Sequence, residues 1–151
     1  MKPTILLVED DKDDAFLMKR AFDKASVPVL MQVAPDGREA LRCLQGEGDY
    51  ADRDRYPLPC LTLLDLNLPY VPGLEVLKQI REHAELRKLV VVVLTSSVAH
   101  SDIERAYDLG VNSYLSKPNN LEEVQALVDP LGQYWLSKNR LSDTHFADCV
   151  A

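Results

Sequence analysis

An α/β fold of five parallel strands alternating with five helices is what this 151-residue chain predicts, and three observations carry the expectation. Short apolar, β-prone runs alternate with helical apolar spacing from end to end, the pattern of βα units around a parallel sheet. Three of the runs, residues 4–8, 60–64 and 90–94, are almost continuously apolar, as central strands covered by helices on both faces require. The runs also end on chemistry: the first on Glu9, Asp10 and Asp11, the third on Asp65, the fourth on Thr95, and the last on Lys117 and Pro118. In an open parallel sheet ligands bind outside the carboxyl ends of the strands, so these groups are expected to share one pocket.

Taken in order, the strands are expected at residues 4–8, 29–33, 60–64, 90–94 and 112–116. The first helix carries Ala15, Met18, Phe22 and Ala25 on one stripe, widened by Leu17 and Ala21. The second opens on an Asp36 cap answered by Glu39 and buries Ala40, Leu41 and Leu44. The third follows Pro72-Gly73 and spaces Leu74, Leu77, Ile80 and Ala84 at helical intervals. The fourth is assigned a capping box of Ser101 and Glu104 and is poorer in apolar residues, with Ile103, Ala106, Tyr107 and Leu109. The fifth begins near Asn120 with Leu121, Val124, Leu127 and Val128. Pro130 then interrupts the pattern, so Asp129-Pro130 either caps a second helical piece through Tyr134-Trp135-Leu136 or marks a kink. The segment 46–59 is long for a helix-to-strand connection and is expected to be mobile or functional. Residues 1–136 form one domain and 137–151 a polar tail.

Composition narrows the function. With 17 Lys and Arg against 24 Asp and Glu, the formal charge is −7, which repels phosphate backbones and argues against a nucleic-acid partner. The apolar runs are too short to cross a bilayer or to form a signal-peptide core, so no membrane association is expected. Cys43, Cys60 and Cys149 lie far apart without metal-ligand spacing and read as reduced thiols of a cytoplasmic protein. His83, His100 and His145 show no ligand spacing and read as solvated or hydrogen-bonded groups. Asp11, Asp13 and Asp14 lie where a helix dipole favours acids, so a helix-stabilising role explains them as well as chemistry does.

Glu9, Asp10 and Asp65 pose the sharper question. Like charges at 4 Å repel by about 4 kcal/mol at an effective dielectric near 20, so something positive must sit among them. Mg²⁺ suits a site of one or two carboxylates, a carbonyl, waters and a phosphate, and Lys117 adds a point charge. Carboxylate, cation, hydroxyl and ammonium together are the parts of phosphoryl transfer, with a carboxylate nucleophile giving an acyl phosphate.

With Glu9-Asp10 after strand one, Asp65 in LLDLNLP, Thr95 in VVVLTSS and Lys117-Pro118 in YLSKP, the chain resembles the receiver domain of two-component response regulators over residues 4–136. The resemblance implies a flavodoxin-like, doubly wound (βα)5 fold with strand order 2-1-3-4-5. It implies Asp65 as phosphoacceptor, Asp10 as a Mg²⁺ ligand with Glu9 acting through water, and the backbone carbonyl of Asn67 as a further ligand. It places Lys117 on the phosphoryl oxygens, Thr95 as the hydroxyl that moves to bond one of them, and Tyr114 as the switch aromatic. Asn67 and Ser97 would flank the attacking water, and the Lys117-Pro118 bond would be cis. The donor would be a histidine kinase, and the output protein contact, with a homodimer through the fourth helix, fifth strand and fifth helix. The loop 46–59 and the Tyr-Trp-Leu ending are similar to stand-alone regulators paired with phytochrome kinases. An aspartate-nucleophile phosphohydrolase is the enzymatic alternative, disfavoured because Asn67 stands where a second acid belongs. A receiver serving a non-photosensory kinase and a binding-only module are the others.

Overall fold

The computed structural model describes residues 2–141 and contains one five-stranded parallel sheet in the order β2-β1-β3-β4-β5. The strands are β1 (Thr4–Val8), β2 (Leu30–Ala34), β3 (Leu61–Leu64), β4 (Val91–Thr95) and β5 (Ser113–Ser116). The helices between and after them are α1 (Lys12–Lys24), α2 (Gly37–Gln45), α3 (Gly73–Glu82), α4 (His100–Asp108) and α5 (Leu121–Leu131). The near-continuous apolar runs are the central strands: every residue of β1, β3 and β4 is buried, whereas β2 and β5 form the half-exposed edges. Helix α1 packs with α5, and α2 with α3.

Register sets up the site. Val8 pairs with both Ala34 and Leu64, Leu64 with Val93, and Thr95 with Ser116. The next residues continue the ladder before the chain turns away, through Asp65 N–H to the Val8 carbonyl at 3.1 Å, Glu9 N–H to Ala34 at 3.0 Å and Lys117 N–H to Thr95 at 2.9 Å. The functional side chains are therefore mounted on the last hydrogen-bonded rungs of a buried sheet, where backbone position is firmly determined.

Several local expectations are corrected. Helix α4 begins at His100 with Ala99 at the cap position and no side-chain cap bond, so Ser101 and Glu104 do not form the capping box. Instead the Ser97 hydroxyl, one turn earlier, donates to Asp102 at 2.6 Å and accepts the Ala99 amide. Pro130 lies inside α5, and the chain then continues as a π-helical stretch, Gly132–Lys138. Proline has no N–H to give its ladder partner and crowds the preceding turn, and wider π winding carries the chain onward from there.

The loop 46–59 is a clasp on the end of α2. Gly46 closes that helix at φ 72°, and the Arg53 guanidinium donates to the carbonyls of Cys43 at 2.9 Å, Leu44 at 2.7 Å and Tyr56 at 3.2 Å. The Cys43 and Leu44 carbonyls are among those that every helix end leaves open, and the Tyr56 carbonyl ties the loop to the same guanidinium. Tyr50, edge-on to Tyr56, donates to Glu39 at 2.6 Å. A second guanidinium, Arg81, ties the end of α3 to the carbonyls of Gly110, Arg87 and Leu89 and to the Asn112 side chain. Cys43 is a buried free thiol, but Cys60 is disulfide-bonded, against the expectation of reduced thiols. Cys149 and His145 lie outside the described residues.

Gly73 has a steric reason. A Cβ there would stand 2.2 Å from the Asp65 carbonyl oxygen and 2.6 Å from the Leu66 Cα, both backbone atoms that cannot swing aside. The missing side chain lets α3 start directly against the chain carrying Asp65. Replacing Gly73 with Ala is expected to destabilise the fold by about 1–3 kcal/mol, the usual cost of overpacking. Denaturant titration checks this, and an unshifted midpoint would show that the close approach is not tight.

Candidate functional site

At the carboxyl edge, Asp65 and Glu9 are each only 5% exposed, Thr95 is fully buried and Asp10 is exposed. The Thr95 hydroxyl donates to Asp65 Oδ1 at 2.9 Å, and the Asn67 amide reaches the same oxygen at 3.3 Å. The Lys117 ammonium holds the other oxygen, Oδ2, at 2.8 Å. It also contacts Glu9 Oε1 at 2.6 Å and Asp14 Oδ2 at 3.1 Å. Beneath lies a small cavity of about 40 Å³ whose apolar lining includes Leu7, Met18, Leu63, Leu94 and Val124. That apolar floor lowers the local dielectric and strengthens every charge interaction above it.

Charge states follow from this packing. Burial alone would raise the Asp65 carboxyl, but the Lys117 ammonium and the Thr95 hydroxyl outweigh it and hold Asp65 below the ordinary aspartate value. Burial would lower Lys117, yet Asp65 and Glu9 together raise it above the usual lysine value, so it is a permanent cation. Glu9 goes the other way: burial, seconded by the Asp65 charge, pushes it up to about 7 in spite of Lys117.

The residues expected at the site are brought together. Carboxylate oxygens of Glu9, Asp10 and Asp65 lie within 4.8 Å of one another, a hard-oxygen donor set suited to a divalent cation. Tyr114, at the half-exposed edge strand, donates its hydroxyl to the Ser97 carbonyl at 3.0 Å. Two expectations are revised. The Lys117-Pro118 bond is trans, with no cis peptide among the described residues; the preference between isomers before proline is small, and context decides it. Asp14 is more than a dipole partner, because it closes the third side of the Lys117 ammonium. Nothing local marks that contact, which spans 103 residues of sequence. Asp11, in contrast, does cap α1, accepting from Asp13 and Asp14. His83 accepts the Glu85 amide and His100 faces Glu104, neither at the pocket.

The family model described as the response regulator receiver domain matches residues 5–129. The chain belongs to this family. Among curated relatives, this receiver domain is 42% identical over 139 residues to the probable methanogenesis regulatory protein FilR2 of Methanothrix harundinacea, covering 90% of this chain and 85% of the relative. It is 39% identical over 132 residues to response regulator Rcp1 of Synechocystis, covering 87% and 88%. Among solved structures, the phosphorylated cyanobacterial phytochrome response regulator RcpA superposes with a TM-score of 0.88 at 39% identity, covering 95% of this chain and all of that one. The Mn²⁺-bound form of Rcp1 superposes at 0.83 and 37% identity, covering 93% and 99%. The sheet order and five helices agree with that fold. No helix among the described residues is long and apolar enough to cross a membrane.

Glu9 gives the pocket a pH signature. A carboxyl whose folded pKa, about 7, exceeds its ordinary 4.5 binds its proton more tightly when folded. Its contribution to stability is therefore present below 4.5 and is lost as pH rises towards 7. Asp65 is shifted downward from 3.8, so its opposite contribution changes only at lower pH. In chelator, the melting temperature of the wild type is expected to fall relative to Glu9→Gln between those limits. Divalent-cation affinity is expected to rise over the same window with proton release, visible by calorimetry in two buffers. A pH-independent difference between the two proteins would refute this.

Proposed function

We propose that this receiver domain is a phosphoacceptor signalling protein. A phosphohistidine on a histidine kinase presents phosphorus to Asp65. A carboxylate oxygen of Asp65 forms the new P–O bond as the P–N bond breaks, and the imidazole nitrogen keeps the electron pair and is then protonated. The observation that supports this reading most strongly is Asp65 itself: buried, kept ionised, and gripped by Thr95 on one oxygen and Lys117 on the other. An ionised nucleophile beside a fixed cation and a hydroxyl donor is arranged for charge that moves onto phosphoryl oxygens.

Glu9, Asp10, Asp65 and the Asn67 carbonyl would hold Mg²⁺, with Glu9 acting through water. The ion would neutralise charge on the phosphoryl group. The remaining work belongs to the protein: Lys117 transfers its hydrogen bond from Asp65 to a phosphoryl oxygen, Thr95 turns to another, and Tyr114 follows the β4–α4 loop. Asn67 and Ser97 flank the path of water and set how long the acyl phosphate lasts.

Output is by protein contact. Val98 before α4, Tyr107 in α4, Leu121 at the start of α5 and Tyr134 beyond its end are each more than half exposed, and apolar surface of this kind supports a homodimer through α4, β5 and α5. Likeness to Rcp1 and RcpA supports a phytochrome-type kinase as the donor, and a cytoplasmic setting goes with such a partner. Acetyl phosphate with Mg²⁺ is expected to add one phosphoryl mass to the wild type and none to Asp65→Asn, read by intact-protein mass spectrometry. An unchanged wild-type mass at saturating donor would defeat the proposal.

A further inference from the structure

We propose that Asp14 is a positioning residue for phosphoryl transfer, acting through Lys117, an inference that rests on the phosphoacceptor reading of Asp65. An ammonium has three protons, and at Lys117 they meet three carboxylates, Glu9 at 2.6 Å, Asp65 at 2.8 Å and Asp14 at 3.1 Å. Each acid comes from a different element: Glu9 from the end of β1, Asp65 from the end of β3, and Asp14 from the first turn of α1. The lysine is thus held from three directions by backbone-anchored acceptors.

Phosphoryl transfer removes one of these. When an Asp65 oxygen bonds phosphorus and the donor's leaving oxygen or nitrogen departs with the bonding electrons, Asp65 ceases to be a carboxylate. The negative charge at that position now lies on the oxygens of the arriving phosphoryl group, and Lys117 must follow by swinging towards them. Glu9 and Asp14 are the two acceptors that do not react. Two fixed acceptors confine the ammonium to a short arc, whereas one leaves it a cone, and loss of orientation at the reacting atoms costs rate.

Asp14 is itself oriented for this. Its amide is bonded to the Asp11 side chain at 3.1 Å, which fixes the start of α1, and its carboxylate sits where the helix N-terminus favours negative charge. Its side chain is 46% exposed, against 5% for Glu9 and Asp65. It can therefore hold the ammonium without a large desolvation cost, and its loss leaves no buried charge unpaired. Asp13, one residue earlier and exposed, offers the same charge on the same turn without an ion pair to Lys117, and so serves as the internal control.

The experiment compares wild type, Asp14→Asn and Asp13→Asn, measuring phosphorylation by acetyl phosphate in Mg²⁺ as a function of donor concentration. Asp14→Asn is expected to lower the maximal rate roughly fivefold, the scale of one partly exposed ion pair felt in the transition state, with half-saturating acetyl phosphate unchanged. Asp13→Asn is expected to retain the wild-type maximal rate. Without metal, the ¹⁵N-detected ammonium signal of Lys117 is expected to broaden through faster proton exchange in Asp14→Asn only. A wild-type maximal rate in Asp14→Asn, an equal loss in Asp13→Asn, or an unaltered Lys117 signal would each overturn the inference. Failure of the wild type itself to take up a phosphoryl group would instead fall on the phosphoacceptor reading.

Discussion

The pocket depends on one ammonium group standing among three carboxylates. Without Lys117, Glu9 and Asp65 would be two buried acids on neighbouring strands whose repulsion rises steeply in a poorly polarisable surrounding. With it, Asp65 is held below the ordinary aspartate value, and Glu9, pushed up to about 7 by burial, rises less than it would unpaired. The two acids share a cation but not its effect, because Asp65 also accepts the Thr95 hydroxyl whereas burial dominates at Glu9. Divergence of neighbouring acids lets one pocket combine an ionised carboxylate with a carboxyl that releases its proton near neutrality.

That arrangement demands a rigid mount, and much of the rest of the molecule supplies it. Arg53 and Arg81 lie far from the pocket chemistry, yet each satisfies several backbone carbonyls that would otherwise be left open where helices stop. Arg81 and Asn112 act as a unit: the Asn112 side-chain oxygen accepts both the guanidinium and the Val91 amide. The amino-terminal side of β4 and β5 is thereby tied together, at the opposite edge from Thr95 and Lys117. Gly73 contributes by subtraction, since only a bare Cα lets α3 begin against the Asp65 carbonyl.

What was legible in the sequence divides along the same physical line. The central strands could be read because burial on both faces demands unbroken apolar runs, and their chemistry could be read because strand ends converge in a parallel sheet. Asp36 was visible as a cap since capping is local, its oxygen accepting an amide three residues on; Asn120 was placed near the start of α5, and its oxygen caps that helix in the same way. The α4 start was misplaced because Ser97, outside the helix, outcompetes Ser101 by bonding Asp102. Asp14, Arg53, Arg81 and Cys60 escaped for another reason: their partners are set by tertiary packing, and no local pattern encodes which distant carbonyl, thiol or ammonium will arrive. Asp14 was nonetheless within reach, since the lysine side chain that meets Asp65 and Glu9 at the strand ends also lies against the start of α1.

The hydrogen bonds around Thr95 show how an event on Asp65 reaches the surface. The Thr95 hydroxyl donates to Asp65, and its oxygen accepts the Ser97 amide at 3.3 Å. Ser97 in turn receives the Tyr114 hydroxyl on its carbonyl and gives its own hydroxyl to Asp102 in the first turn of α4. On the proposed phosphoacceptor reading, drawing the Thr95 hydroxyl onto a phosphoryl oxygen would move the oxygen that Ser97 rests on, and Ser97, bonded to both β5 and α4, would have to exchange partners rather than stretch its bonds. On the same reading, a covalent change at that buried oxygen would rearrange Tyr114 and the start of α4, which follows the exposed Val98. Asp65 is joined to that segment by the Thr95 hydroxyl, the Ser97 backbone and side chain, and the Tyr114 hydroxyl, a path that requires no movement of the sheet.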